Sequence, residues 1–251
     1  MDFLGLDSFI NNNKLLKNMI SIIIPTLNEE NYLPKLLNCI KKQTYKNYEV
    51  IVADASSKDK TKEIARKFGC KIVKSGGLPG IGRNNGAKIA KGDILFFIDA
   101  DVEFDNDFLK NCINEFNSRK LNVAGLYIHP QGNNVLDKIF LGLFNFWTFA
   151  TQFFYPNASG SGIMCKKWLH EKVNGFDETI KLSEDMDYAR RCGKFGKFRI
   201  IKNAKSYVAM RRFEKEGRLK VGFKLFLSAL YRLFFGEIRS DVFKYNLRYR
   251  K

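Results

Sequence analysis

Gly92-Asp93-Ile94-Leu95-Phe96-Phe97-Ile98-Asp99-Ala100-Asp101-Val102-Glu103-Phe104 holds an unbroken apolar run, Ile94 to Ile98, with no polar alternation. Such a run reads as a strand buried on both faces of a sheet. It stops at Asp99 and Asp101. In extended backbone, side chains two apart point the same way, so both carboxylates are expected to leave the strand end on one side. Two close anions repel unless a cation sits between them. Hard divalent ions such as Mg2+ and Mn2+ prefer carboxylate oxygens and share sites with substrate phosphates. A plain polar turn accounts for the same residues, since Asp is common there. The position favours a ligand site, because open parallel sheets bind ligands beyond the carboxyl ends of their strands.

Working outward from this strand, the preceding chain repeats one pattern. Ile20 to Ile24 is a buried strand broken by Pro25, with Asn28 placed to cap a helix whose first turn holds Glu29 and Glu30. Leu33, Leu36, Leu37 and Ile40 recur at helical spacing. Glu49 to Ala53 is a second strand, ending at Asp54; Asp59 caps a short helix that Gly69 stops. Lys71-Ile72-Val73 is a third strand, and a glycine-rich loop, residues 76–82, leads into a helix from about Arg83 to Ala90. Alternating strands and helices predict a parallel α/β sheet. A dinucleotide-binding fold would carry its glycine fingerprint after the first strand. Residues 25–30 there contain no glycine.

Beyond Phe104, Val123 to His129 reads as a strand at or beyond the sheet edge. The aromatic stretch from Ile139 to Tyr155 is near spanning length but interrupted by Asn145, Thr148, Thr151 and Gln152. It suits a helix buried in protein or lying in a membrane interface rather than a transmembrane span. Residues 157–162, Asn-Ala-Ser-Gly-Ser-Gly, form a turn where backbone can approach a ligand closely. Ser183 is placed to cap a helix opening with Glu184, Asp185 and Asp187, and carboxylates are favoured in a first turn for dipole reasons alone.

The 251 residues can bury a sizeable core. Five scattered cysteines, without C-x-x-C spacing, argue against a disulfide framework or zinc site and for a reducing compartment. The first residues do not resemble a signal peptide. Residues 1–189 hold 24 Lys+Arg against 22 Asp+Glu, whereas residues 190–251 hold 19 against 4, so nearly all of the +17 lies in the last quarter. A basic tail suits an anionic membrane surface or nucleic acid. In that tail Lys220, Lys224, Ser228 and Arg232 fall four apart among Leu, Phe, Val and Tyr. This fits a helix in a lipid interface or a buried helix with a solvated edge.

Together these segments resemble glycosyltransferase family 2, over roughly Met19 to Tyr207. The resemblance rests on Ser21 to Glu30 (Ser-Ile-Ile-Ile-Pro-Thr-Leu-Asn-Glu-Glu), Val52 to Thr61, Arg83-Asn84-Asn85-Gly86-Ala87, Asp99-Ala100-Asp101, Gly175 to Glu178, and Ser183 to Arg191. It implies a GT-A-type fold: a mostly parallel central sheet with flanking helices, here followed by a basic amphipathic C-terminal helical region. The expected organisation is a lead-in (1–18), a nucleotide-sugar-binding half (19–104), an acceptor-binding and catalytic half of the same domain (105–210), and a membrane-associating tail (211–251).

The resemblance also implies roles. Pro25, Thr26, Asn28 and Glu30 would line the nucleotide pocket, Asp54 would accept a hydrogen bond from the base, and Arg83 would sit near the base or diphosphate. Asp99 and Asp101 would meet the ribose and a divalent cation, Mn2+ or Mg2+. Asp185 matches the catalytic base, with Glu184 beside it. The expected activity is inverting, metal-dependent transfer of a hexosyl group from a nucleotide-diphosphate sugar to a lipid-linked or glycan acceptor, through a hydroxyl or a lipid phosphate. The protein is expected to be cytoplasmic and peripheral on the membrane face, with no nucleic-acid partner. The rivals are a nucleotidyltransferase, which needs a lysine-bearing glycine loop after the first strand, and a nucleic-acid-binding module built on the basic tail. Two departures stand out. Ala53 occupies a position where the family usually has a second acid, and there is no Gln-x-x-Arg-Trp after Asp185, against a processive synthase. Neither His129 nor His170 stands at an obvious third metal-ligand position.

Overall fold

The computed structural model describes residues 18–243. The lead-in up to residue 17 and the last basic residues, from 244 on, lie outside the described residues. One eight-stranded sheet runs through the molecule in the order β3-β2-β1-β4-β7-β6-β8-β5. The first half supplies β1 (Ile20–Thr26), β2 (Tyr48–Asp54), β3 (Lys71–Lys74) and β4 (Ile94–Phe97), all parallel. They are linked by α1 (Leu33–Lys41), α2 (Thr61–Lys67) and α3 (Pro79–Ile89). β1 and β4 are buried along their whole length, as strands covered by helices on both faces must be.

The second half adds β5 (Val102–Phe104), α4 (Phe108–Ser118), β6 (Val123–Pro130), α5 (Val135–Thr151), β7 (Ile163–Lys166), α6 (Lys167–Lys172), α7 (Glu184–Phe195), β8 (Phe198–Val208), α8 (Arg211–Glu216) and α9 (Arg218–Phe235). β7 runs antiparallel between β4 and β6, β8 lies parallel to β6, and β5 is antiparallel to β8. Val123–His129 is thus in the sheet interior, not at its edge. β7 and β8 pair with its backbone on either side, and most of its side chains at 123–128 are buried on the sheet's faces.

Several local expectations change. The strand after Gly92 ends at Phe97, and Val102 opens a separate strand paired with β8. Asp99 and Asp101 therefore sit on a turn, not on one extended edge. Helix α1 begins at Leu33, with Pro34 in its first turn and Tyr32 as its N-cap. Asn28 does not cap it. Asn28 has φ 54° and its side chain accepts from the Lys58 N–H at 2.8 Å, tying the β1 loop to the β2 loop. Helix α3 starts one turn early, at Pro79, because proline fits the first helical turn. Ser183 does stand at the N-cap of α7, but in the left-handed region and without a capping hydrogen bond.

Helices α5 and α9 narrow the two readings left open for each. α5 is no core helix: Asp137, Leu141 and Thr148 face inward, while Phe146 is 71% exposed. Asn145 bonds both backbone groups of Ile128, beyond the register shift between β6 and β8 at Leu126/Tyr127. Gln152 accepts from the Ile200 N–H. In α9 the polar stripe is not a solvated edge. Ser228 and Arg232 are buried, and Phe234 is 73% exposed. No helix among the described residues is long and apolar enough to cross a membrane.

Candidate active site

The site is assembled around one buried cation. Arg83, on α3, is 2% exposed, and its guanidinium reaches two acids from distant elements. Nη2 donates to Asp99 Oδ1 at 2.8 Å, and Nη1 donates to Glu184 Oε1 at 2.5 Å. Burial alone would push the arginine towards neutrality, but Asp99, Glu184 and Asp185 outweigh it and hold the charge more tightly than usual. The aromatic ring of Phe176 lies 5.2 Å from the guanidinium carbon and completes the seat.

Asp185 follows Glu184 on the first turn of α7. Its Oδ2 accepts the Gly160 N–H at 2.6 Å, while Oδ1 takes the N–H of Met186. Burial and the Glu184 charge raise its pKa to about 6, against the opposing pull of Arg83 and the Gly160 N–H. A carboxylate poised there is ionised at neutral pH yet basic enough to accept a proton. Gly160 packs directly on the arginine: a Cβ at that position would fall 2.3 Å from Arg83 Nη2 and 3.0 Å from Asp99 Oδ2. The turn at 157–162 thus brings backbone close to Asp99, Arg83 and Asp185 together.

Asp101 points to a different partner. Arg211, at the start of α8, donates to Asp101 at 2.9 Å and grips both oxygens of Glu29 at 2.9 and 3.0 Å. Its guanidinium also lies 4.6 Å from the Tyr32 ring centroid. Sequence reading missed Arg211, one arginine in a basic run with no local signal. The Asp99/Asp101 pair is split between two arginines. Asp99 and Asp101 still offer only oxygen donors and are partly exposed, at 27% and 18% of their side-chain area. Among the described residues no group of three or more metal-ligating side chains gathers. An all-oxygen pair suits a hard cation that takes its remaining ligands from phosphate and water.

The expected nucleotide residues cluster where β1, β2 and the glycine-rich loop meet. A shallow cleft is lined by Pro25, Thr26 and Leu27 from one side and by Ser75, Gly76 and Gly77 from the other. Asp54 is buried between the lining residues Ala53 and Ala55, accepting from Ser57 N at 3.0 Å, Ser57 Oγ at 2.5 Å and Thr26 Oγ1 at 3.3 Å. Asn28 and Glu30 brace the β1 loop against residues 57–60: Asn28 N donates to Ser57 Oγ, and Glu30 accepts from the Lys60 N–H. His170 is packed behind Phe176, ring centroids 6.2 Å apart, with its Nδ1 2.9 Å from the Tyr188 hydroxyl, and burial lowers its pKa to about 4.

Comparison with known proteins joins this geometry to a family. The model of the glycosyl transferase family 2 domain matches residues 21–174, more than half of the chain. The chain belongs to glycosyltransferase family 2. The match spans β1 to the first turns after β7 and includes Asp54, Arg83, Asp99 and Asp101. A 4,4'-diaponeurosporenoate glycosyltransferase of Staphylococcus haemolyticus is 40% identical over 119 residues, covering 44% of this chain and 32% of the relative. A dolichyl N-acetyl-alpha-D-glucosaminyl phosphate 3-beta-D-2,3-diacetamido-2,3-dideoxy-beta-D-glucuronosyltransferase of Methanococcus voltae is 30% identical over 209 residues, covering 74% of this chain and 64% of the relative. The chain spans less than two thirds of the length of these two relatives. Among solved structures, the mannosyltransferase PcManGT of Pyrobaculum calidifontis, in complex with GDP-Man and Mn2+, superposes with a TM-score of 0.67 at 18% identity, covering 89% of this chain and 69% of that one. S. aureus TarS 1-349 in complex with UDP gives 0.62 at 21% identity, covering 86% and 71%. At these identities the structures establish the GT-A-like fold alone.

Proposed function

We propose that this family member transfers a hexosyl group from a nucleotide-diphosphate sugar to an acceptor at the cytoplasmic face of a membrane, with inversion at the anomeric carbon. The observation that carries the reading is the convergence of Asp99, Arg83 and Asp185 around Gly160, which gathers acids from two distant segments at one point. The solved relatives support a nucleotide-sugar donor, since PcManGT holds GDP-Man and TarS 1-349 has been captured with UDP-GlcNAc. The free cysteines are consistent with a reducing compartment.

In this reading the base and ribose lie against Pro25, Thr26, Asn28, Glu30 and the 75–79 loop, with Asp54 beneath. Asp101, with Asp99, would hold a divalent cation, Mn2+ or Mg2+, which when bound neutralises charge on the departing diphosphate. Arg83, already neutralised by Asp99 and Glu184, acts by fixing both acids in place. An acceptor hydroxyl attacks the anomeric carbon as the bond to the diphosphate oxygen breaks. The bonding pair leaves with the nucleotide diphosphate, and Asp185 takes the hydroxyl proton. A single displacement inverts the centre. A lipid-phosphate oxygen is already anionic and needs no base; Asp185 then orients it. The name of the Methanococcus voltae relative places a dolichyl phosphate-linked sugar in that enzyme's reaction, which favours a lipid-linked acceptor here.

The test is a donor screen. Thermal stabilisation by UDP-GlcNAc, GDP-Man and related donors with Mn2+ identifies the nucleotide, and proton NMR of the product reads its anomeric configuration. Retention of configuration, or full turnover in both Asp101→Asn and Asp185→Asn, would refute the proposal.

A further inference from the structure

Helices α5 and α9 turn several polar residues inward and most of their large apolar residues outward, the reverse of a helix on a water-soluble domain. On α9 the last three members of the stripe at four-residue spacing face the protein, and Lys220 is exposed. Lys224 reaches Glu216, Ser228 is buried, and Arg232 contacts Met186 Sδ at 2.9 Å and Glu237 at 2.9 Å. Its outward side presents Leu219, Phe223, Phe226 and Leu233, each more than half exposed. On α5 Asp137 accepts from Arg218 Nε at 2.9 Å and Nη2 at 3.0 Å, Asn145 serves β6, and Ile139, Leu143 and Phe146 face out. The Arg218–Asp137 pair and the packing of Phe140 at Gly222 hold the two helices side by side. Clusters of exposed large apolar side chains on neighbouring helices mark an interaction site.

Charge identifies the occupant. Residues 190–251 carry 19 Lys+Arg against 4 Asp+Glu, and three of those four acids, Glu216, Glu237 and Asp241, are already in ion pairs. Beside the apolar face, Arg199 and Lys202 lie over the rings of Phe153 and Phe149 at 4.1 and 4.6 Å, and Lys220 is exposed on α9. Apolar side chains bordered by cations complement the acyl boundary and anionic headgroups of a lipid leaflet. At 1.5 Å per residue, α9 is on the order of 27 Å long and can lie along such a surface. The preceding helix and the C-terminal part of α9 each lead to one of the acids. α8, just before it, carries the Arg211 that holds Asp101, and Arg232 near its end touches Met186, next to Asp185.

We propose that the outward faces of α5 and α9 seat the protein in the headgroup–acyl boundary of an anionic bilayer, with the acidic cleft at the lipid surface. This deepens the membrane-face reading above and rests on it only for the acceptor's route. The seating itself is read without turnover. The full chain is sedimented with phosphatidylcholine vesicles, with and without about 30% phosphatidylglycerol, from about 0.1 to 1 M salt. Binding to the anionic vesicles is expected, with part of it surviving high salt. The double variant Phe146→Glu/Phe234→Glu should bind at least about tenfold more weakly. Its stabilisation by UDP or GDP with Mn2+ should be unchanged, which shows that it folds. Absent vesicle binding, equal binding by the double variant, or a wild-type dimer that the double variant dissociates would overturn the proposal. Vesicle binding by a protein inert towards every donor would uphold it and remove the transferase reading instead.

Discussion

The Arg83 guanidinium meets the Glu184 carboxylate at 2.5 Å, 101 positions away in sequence. The same guanidinium holds Asp99, so α3, the end of β4 and the start of α7 share one buried charge cluster. Removing the cation should leave two carboxylates repelling each other in a place water reaches poorly. Arg83→Met is expected to cost about 3–5 kcal/mol in urea unfolding. Arg83→Lys should recover little of the loss, because one ammonium cannot match both directions of the planar fork. Wild-type stability in the Met variant would remove the cluster from the account of the fold.

Gly160 gives a sharper test, because it changes shape without charge. An added methyl would overlap Arg83 Nη2, in a loop whose N–H also holds Asp185. Gly160→Ala should fold, yet lower kcat/KM by at least about tenfold through misplacement of both acids. Gly132→Ala is a control only for backbone strain: its added Cβ meets nothing within 4 Å, while its φ of 95° disfavours alanine. Steady-state kinetics and circular dichroism separate the two effects.

Asp185 sets the expected pH response. Its pKa, raised to about 6 by burial and Glu184, means a hydroxyl acceptor should see kcat/KM fall about tenfold per unit below that value. For stability the sign is opposite to that of a salt-bridged acid. A carboxyl whose folded pKa is raised stabilises the fold below its unfolded value, near 3.8, and loses that contribution as pH rises through about 6. Asp185→Asn should therefore abolish transfer to a hydroxyl while raising the melting temperature at pH 8 by about 2–4 °C. An inactive variant with a lowered melting temperature at that pH would show that the carboxylate's bonds to Gly160 and Met186 outweigh its burial.

Metal removal should act through binding before it acts on chemistry. In wild type, Mn2+ is expected to increase stabilisation by UDP or GDP, and EDTA to cancel the increase. Asp101→Asn should lose the Mn2+-dependent part and keep the part due to nucleotide alone. Calorimetry of nucleotide binding with and without Mn2+ measures both. Equal Mn2+ dependence in the variant would move the cation site elsewhere.

The first half of the fold was legible because its strands are continuous apolar runs between polar caps, a pattern that only a sheet covered on both faces makes favourable. The order of β6, β7 and β8 was not. β6 pairs with β8 across a register shift, and their local patterns resemble those of edge strands. For Asp99 and Asp101 it was the assumption of continuous extended backbone that did not hold. The strand stops at Phe97, and the turn at Ala100 sends the two acids to separate arginines. Arg83, Glu184 and Asp185 could be named from their motifs, whereas Arg211 could not, since its partners Glu29 and Asp101 are remote in sequence. For α9 the four-residue spacing was plain, but a polar stripe reads the same whether it faces water or protein. Met186 and Glu237 decide the matter, and no local pattern announces them.

The reversed helices make colloidal behaviour depend on charge. A particle with uncovered phenylalanines and a formal charge of +17 is expected to depend on mutual repulsion to stay dispersed. Raising ionic strength shortens the reach of that repulsion, so turbidity should appear in salt well before the secondary structure melts, and mild detergent should clear it.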